Sequence, residues 1–212
     1  KPYAAYCHDL PPRQYSFLPH IEKITNRKDA WDFADFDVVV ILDCGQLSRS
    51  RLENEVMSRA AGQYVIEIDH HPKMQDYADL EIRNDKASST SEILHDFLRT
   101  NMVKFNRNFA NCILTGILFD TGNLVFESTS DHTIKIASNM LLYGARFPLI
   151  VDSLSRNKTI GGMKVWGRVM DRLRINPRYG IAVTVLKLDD LEDQTVSDEE
   201  LEGIANFLAT LS

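Results

Sequence analysis

The 212-residue chain is short of cysteine, of long apolar runs and of positive charge. Its three cysteines, Cys7, Cys44 and Cys112, are odd in number, widely spaced and form no CxxC pair. That argues against a disulfide framework or a zinc ribbon and fits a reducing, cytoplasmic compartment. No apolar stretch approaches the roughly 18–20 residues of a membrane span; the longest clear one is Val38 to Leu42. No secretory n-region and h-region pair is seen at the start. Basic residues number 24 against 30 acidic ones, a net charge of −6. Such a chain is poorly suited to wrapping duplex DNA by bulk charge, but a local site for a nucleotide or short strand is compatible with it. Internal repeats and low-complexity linkers are also lacking.

What is present is an ordinary globular composition, 44% hydrophobic and 25% charged, enough to bury a core. The length corresponds to about one domain plus an appendage. Four of the seven prolines fall in the first twenty residues and exclude a long helix there. Tyr3 to Cys7 reads as a short strand. Phe36 to Leu42 is a β-branched run that stops at Asp43-Cys44-Gly45, the pattern of a buried strand with polar residues at its carboxyl end. Arg51 to Ala61 reads as a helix closed by Gly62. Tyr64 to Ile68 is a second buried strand, ending at Asp69-His70-His71-Pro72, and Leu80 to Arg83 a third. Ser89 with Glu92 has the form of a capping box. Helices are expected over 109–119 and 131–143, and a basic amphipathic stretch over 158–174. A strand over 180–188 and a last helix entered at Ser197 and Glu200 complete the chain. Strands alternating with helices predict an α/β fold with a parallel sheet. Two readings of the basic stretch are open: a connecting helix followed by a solvated acidic turn, or a helix lining a phosphate groove.

In parallel sheets, sites form beyond the carboxyl ends of the strands. Asp43 and Asp69-His70-His71 lie at two such ends, and Asp120 follows an apolar helix in LFDTG. Carboxylates mixed with imidazole suit Mn²⁺, Mg²⁺ or Zn²⁺ and lean toward Mn²⁺. Adjacent histidines on a strand point to opposite faces, so serving one centre requires the backbone to turn. Ser89 and Thr90 sit at a helix N-terminus, where they serve either as simple caps or as an anion site. Cys44 reads as a small buried hydrophobe.

The segments VVVILDCGQLSR (38–49), VIEIDHHP (65–72), KASSTSEIL (86–94) and LTGILFDTGNLVF (114–126) together resemble the motifs of the DHH phosphoesterases, in particular the bacterial nano-RNase and pAp phosphatase branch. The resemblance implies a parallel-sheet α/β core with flanking helices over residues 1–154, and a connector over 155–212 leading toward a second domain. It implies that Asp43 bridges two divalent ions and that His70 and Asp120 complete one metal site. His71 would contact the scissile phosphate, Asp69 would orient the histidines, and Ser89 and Thr90 would bind substrate. A water activated by two ions would then attack phosphorus.

The family's first motif, a strand supplying a His and two Asp ligands, has no counterpart here, nor does its substrate-binding domain. His8-Asp9 is the sole early His/Asp pair and a weak substitute. The first strand of the sheet is therefore expected to be missing. As a whole molecule the chain would hold one ion and turn over poorly; as a piece of a longer protein its parent would be a two-metal enzyme. An exposed sheet edge would favour self-association, a homodimer among its forms. The expected activity is hydrolysis of short oligonucleotides or pAp with Mn²⁺. Its alternatives are single-strand exonuclease, cyclic-dinucleotide phosphodiesterase or pyrophosphatase activity, or a non-catalytic nucleotide-binding module.

Overall fold

Among the described residues, two β-branched runs pair in a three-stranded parallel sheet, one at its edge and one at its centre. The computed structural model describes residues 3–155, 159–191, 196, 201, 203–204 and 207–208. Contacts divide the chain into two compact units, Lys1–Asp152 and Ser153–Ser212. In the first, β3 (Val38–Leu42) pairs in parallel with β4 (Tyr64–Asp69), and β4 with β5 (Leu80–Arg83). A separate parallel pair joins β1 (Ala5–Tyr6) to β2 (Ile24–Thr25). The period of two sends Ile41 and Val65 into a core with Leu47, Val56 and Tyr77. On the opposite face Ile68 packs with Ala87 and Ile93, the latter from α2 (Thr90–Thr100). Their sheet neighbours Val40 and Leu42 on β3, an edge strand among the described residues, remain 49% and 46% exposed.

Three helices follow β5. Ser89 caps α2, Asn106 caps α3 (Arg107–Asp120), and a capping box of Ser130 and Thr133 opens α4 (Asp131–Leu142). Glu92, by contrast, does not reach back to the Ser89 N–H as the expected box requires. It is buried, and its Oε2 accepts the hydroxyls of Ser88 and Thr133, each at 2.7 Å, joining α2 to the start of α4. The helix expected over 51–61 contracts to α1 (Glu53–Met57). A 3₁₀ turn over Leu47–Ser50 precedes it, and Arg51 at φ 58° breaks the path between them. A further helix, α5 (Phe147–Ser155), was not foreseen.

In the second unit α6 (Ile160–Asp171) is capped by Thr159 and buries Val165 and Val169 against Ile204. The expected strand over 180–188 is shorter, β7 (Ile181–Val183), and pairs antiparallel with β6 (Arg174–Asn176). The arginines of the basic stretch are spent within the unit. Arg172 grips the Asp190 carboxylate, Arg168 donates to the Asp190 carbonyl and Arg174 to the carbonyls of residues 171 and 173. These contacts favour the connecting-helix reading over the phosphate groove. The cap at Ser197 and Glu200 lies outside the described residues. Among the described residues, no helix is long and apolar enough to cross a membrane.

Candidate metal and phosphate site

Asp43 leaves β3 at φ 57°, a left-handed conformation that Asp adopts more readily than most residues. Its N–H still donates to the Ile68 carbonyl of β4 at 3.1 Å. Gly45 follows at φ 61°, and a Cβ there would stand 3.3 Å from the His71 ring. Glycine thus lets the loop close over the end of β4 and donate its N–H to Asp69 Oδ2 at 2.6 Å.

Asp69 ends β4 with no exposed surface. Its Oδ1 accepts the His71 N–H at 2.8 Å and stands 2.7 Å from His71 Nδ1. A carboxylate can only accept, so Nδ1 carries a proton, and in the neutral ring it is Nε2 that has the lone pair. Burial works to raise the Asp69 pKa, but the His71 and Gly45 N–H groups and the His71 ring outweigh it and hold the carboxyl below its ordinary value. His70 Nδ1 lies 3.4 Å from the Ala87 carbonyl, which places its proton there by the same logic. His70 Nε2 is then free and lies 3.5 Å from Asp43 Oδ1. Of the two histidines, Asp69 bonds His71, while His70 Nδ1 lies against the Ala87 carbonyl.

Asp43, His70 and His71 each offer a donor atom, and these atoms lie within 4.8 Å of one another. The turn after β4 brings both rings to one side, with centroids 4.5 Å apart. Asp120, at the end of α3, is outside that group, yet it feels it. Burial first, then the Asp43 charge, pushes its carboxyl up to about 6, while His70 and His71 pull the other way. Two carboxylates in mutual repulsion beside an imidazole lone pair are a donor set that fits a divalent cation. Cys44 takes no part: burial, then the Asp69 charge, raises its thiol to about 11.

The hydroxyls of Ser89 and Thr90 both have partners in the protein. Ser89 Oγ accepts the Glu92 N–H at 3.1 Å, and Thr90 Oγ1 donates to Asp43 Oδ1 at 2.8 Å. Sequence reasoning passed over Gly45, Ala87 and Arg83, whose guanidinium donates to the His71 carbonyl. The available signal for Arg83 was the charge carried by two neighbouring short strands, Glu67 in VIEID and Glu81 and Arg83 in LEIR.

Residues 3–117 match the DHH family, N-terminal domain. The chain belongs to the DHH family. A relative from Streptococcus mutans, named probable bifunctional oligoribonuclease and PAP phosphatase NrnA, is 28% identical over 188 residues, which are 89% of this chain and 59% of that protein. The Bacillus subtilis protein named bifunctional oligoribonuclease and PAP phosphatase NrnA is 24% identical over 205 residues, 95% of this chain and 62% of its own length. This DHH chain thus spans about three fifths of these relatives. The crystal structure of an exopolyphosphatase-related protein from Bacteroides fragilis superposes with a TM-score of 0.87 at 21% identity, covering 99% of this chain and 63% of that one. That likeness establishes the shared α/β fold.

Proposed function

We propose that this chain carries the reaction centre of a metal-dependent phosphoesterase that hydrolyses phosphodiester or phosphomonoester bonds of short oligonucleotides or pAp. The observation that carries the reading is the convergence of Asp43, His70 and His71 at the carboxyl end of the sheet. The names of the NrnA relatives support the substrate class. In this reading Asp43 and His70 Nε2 hold a divalent ion with Asp120 close by, and Mn²⁺ suits the mixed carboxylate and imidazole donors. When bound, such an ion neutralises charge on phosphoryl oxygens and acidifies water. His71 presents Nε2 to a phosphate while Asp69 fixes its ring and stabilises it should it take up a proton. Ser89 and Thr90 open α2, whose N-terminus favours an anion; Thr90 also steadies Asp43.

The described residues assemble one ligand group, so one ion is proposed for this chain. Two-ion chemistry is proposed for a protein of the relatives' full length, with residues 1–154 holding the site and 155–212 connecting onward. A cytoplasmic setting is proposed from the unpaired cysteines.

The test is Mn²⁺-dependent hydrolysis of a dinucleotide and of pAp by this chain beside Asp43→Asn. Turnover that the substitution abolishes supports the reading. Tight nucleotide binding without hydrolysis, indifferent to Asp43→Ala, would instead favour a binding module, a reading to which the single ligand group lends some weight.

A further inference from the structure

We propose that Arg83, clamped between Glu67 and Glu81, is a positioning residue that fixes His71 against Asp69 and Asp43. The proposal rests on reading Asp43, His70 and His71 as a divalent-ion and phosphate site. Arg83 ends β5 in register with Asp69. Its side chain is 10% exposed, and Nη2 pairs with Glu67 Oε1 at 2.8 Å. Nε donates to Glu81 Oε1, and Nη1 donates to the His71 carbonyl. Each carboxylate is secured in turn. The Tyr77 hydroxyl donates to Glu67, and Lys73 pairs with Glu81 at 2.6 Å.

As a stabilising device this arrangement is uneconomical. Desolvating an Arg–Glu pair offsets much of its attraction, and apolar side chains of similar volume would hold β4 to β5 as well. Apolar side chains cannot, however, hold a carbonyl beyond the strand end. The guanidinium is a rigid planar fork, so two bonds to carboxylates set the direction of the third. That third bond matters because Pro72 follows His71 and has no N–H with which to anchor the chain. His71 is thereby held on both sides, its N–H on Asp69 and its carbonyl on Arg83. The ring is kept on Asp69 Oδ1 through Nδ1, which leaves Nε2 for a ligand.

The decisive variant is Arg83→Lys, which keeps the charge beside Glu67 but cannot serve Glu67, Glu81 and the His71 carbonyl with one fixed fork. Amide exchange in the metal-free chain should be about tenfold faster at His71, with the β3–β4 ladder unchanged. Mn²⁺ affinity should fall by about 10–100-fold, the range for groups that orient ligands. A paired neutral variant, Glu67→Gln with Arg83→Gln, serves should Arg83→Lys fail to fold. A folded variant with unaltered His71 exchange and Mn²⁺ affinity overturns the proposal. So does a uniform rise in exchange along β4, or a failure of both variants to fold, since either makes Arg83 purely structural. Should the parent chain bind Mn²⁺ no better than Asp43→Asn does, the site reading itself fails, while His71 exchange still decides on the clamp.

Discussion

Thr90 donates its hydroxyl to Asp43 Oδ1 at 2.8 Å, tying the first residue of α2 to the turn that follows β3. The Asp43 side chain is about half exposed, and a carboxylate so placed would otherwise rotate freely. Thr90→Val removes the donor at nearly constant shape and leaves the Ser89 cap in place. Mn²⁺ affinity should fall about tenfold, the lower range for lost ligand support, with the melting temperature little changed. Thr90→Ser should retain both. Calorimetric titration with parallel thermal melts checks this, and an unchanged affinity in the valine variant would show that Asp43 needs no support.

Asp120 should oppose stability and serve binding. Its carboxyl is raised to about 6, first by burial and then by Asp43. A raised carboxyl contributes favourably only below its unfolded value near 4, and the contribution is lost as pH rises through about 6. At pH 7.5 Asp120→Asn should therefore stabilise the metal-free chain, by about 1–2 kcal/mol once solvent screening is allowed for. The gain should vanish near pH 4. The same substitution should weaken Mn²⁺ binding. Thermal melts from pH 4 to 8, with and without Mn²⁺, read both signs; a loss of stability at pH 7.5 would refute the argument.

The site was legible because its two strands end abruptly. A β-branched run that stops at Asp43, and another at Asp69-His70-His71, announce a sheet's carboxyl edge without any long-range information. What sequence spacing could not show were partners far along the chain. Glu92 stands three residues after Ser89 as a capping box would require, but Thr133 offers it a hydroxyl 41 positions on. The charge run around Arg168 and Arg172 left a connecting helix and a phosphate groove both open, and only Asp190, 22 and 18 positions on, decides between them by taking up both arginines. Helix α5 carries Pro148 in its first turn, where proline is tolerated, and has no charged residue before Asp152 to mark an exposed face. Arg83 was passed over because a charge in a short strand usually faces water, and only the register with Asp69 brings it beneath the His71 carbonyl.

At Gly116 α3 packs directly against Ser91 of α2. A Cβ at that position would lie 2.0 Å from Ser91 Oγ and 2.9 Å from Ser91 Cβ. Alanine is ordinarily the better helix former by about 1 kcal/mol. Here overpacking should win, and Gly116→Ala should cost about 1–3 kcal/mol. Ser91→Gly in the same background should recover most of the loss. A double-mutant cycle in urea tests the pair; additive effects would mean that the helices separate without strain.

Asp190 gives the opposite pH signature to Asp120. Arg172 grips its carboxylate with two N–H groups, at 2.5 and 2.7 Å, and the Lys187 N–H adds a third bond at 2.9 Å. These contacts, Arg172 foremost, hold the carboxyl well below its usual range. A depressed carboxyl contributes stability above its unfolded value near 4, and that stability is lost only as pH falls through the lower folded value. Asp190→Asn should therefore speed amide exchange across α6 at pH 7, and by the same factor at pH 5. The difference from the parent should begin to shrink only below about pH 4, where Asp190 of the unfolded chain takes up a proton, and close as pH falls through the depressed folded value. A deficit that persisted unchanged into strong acid would mean that Asp190 acts through the placement of Arg172 and the 187–191 turn rather than through its charge.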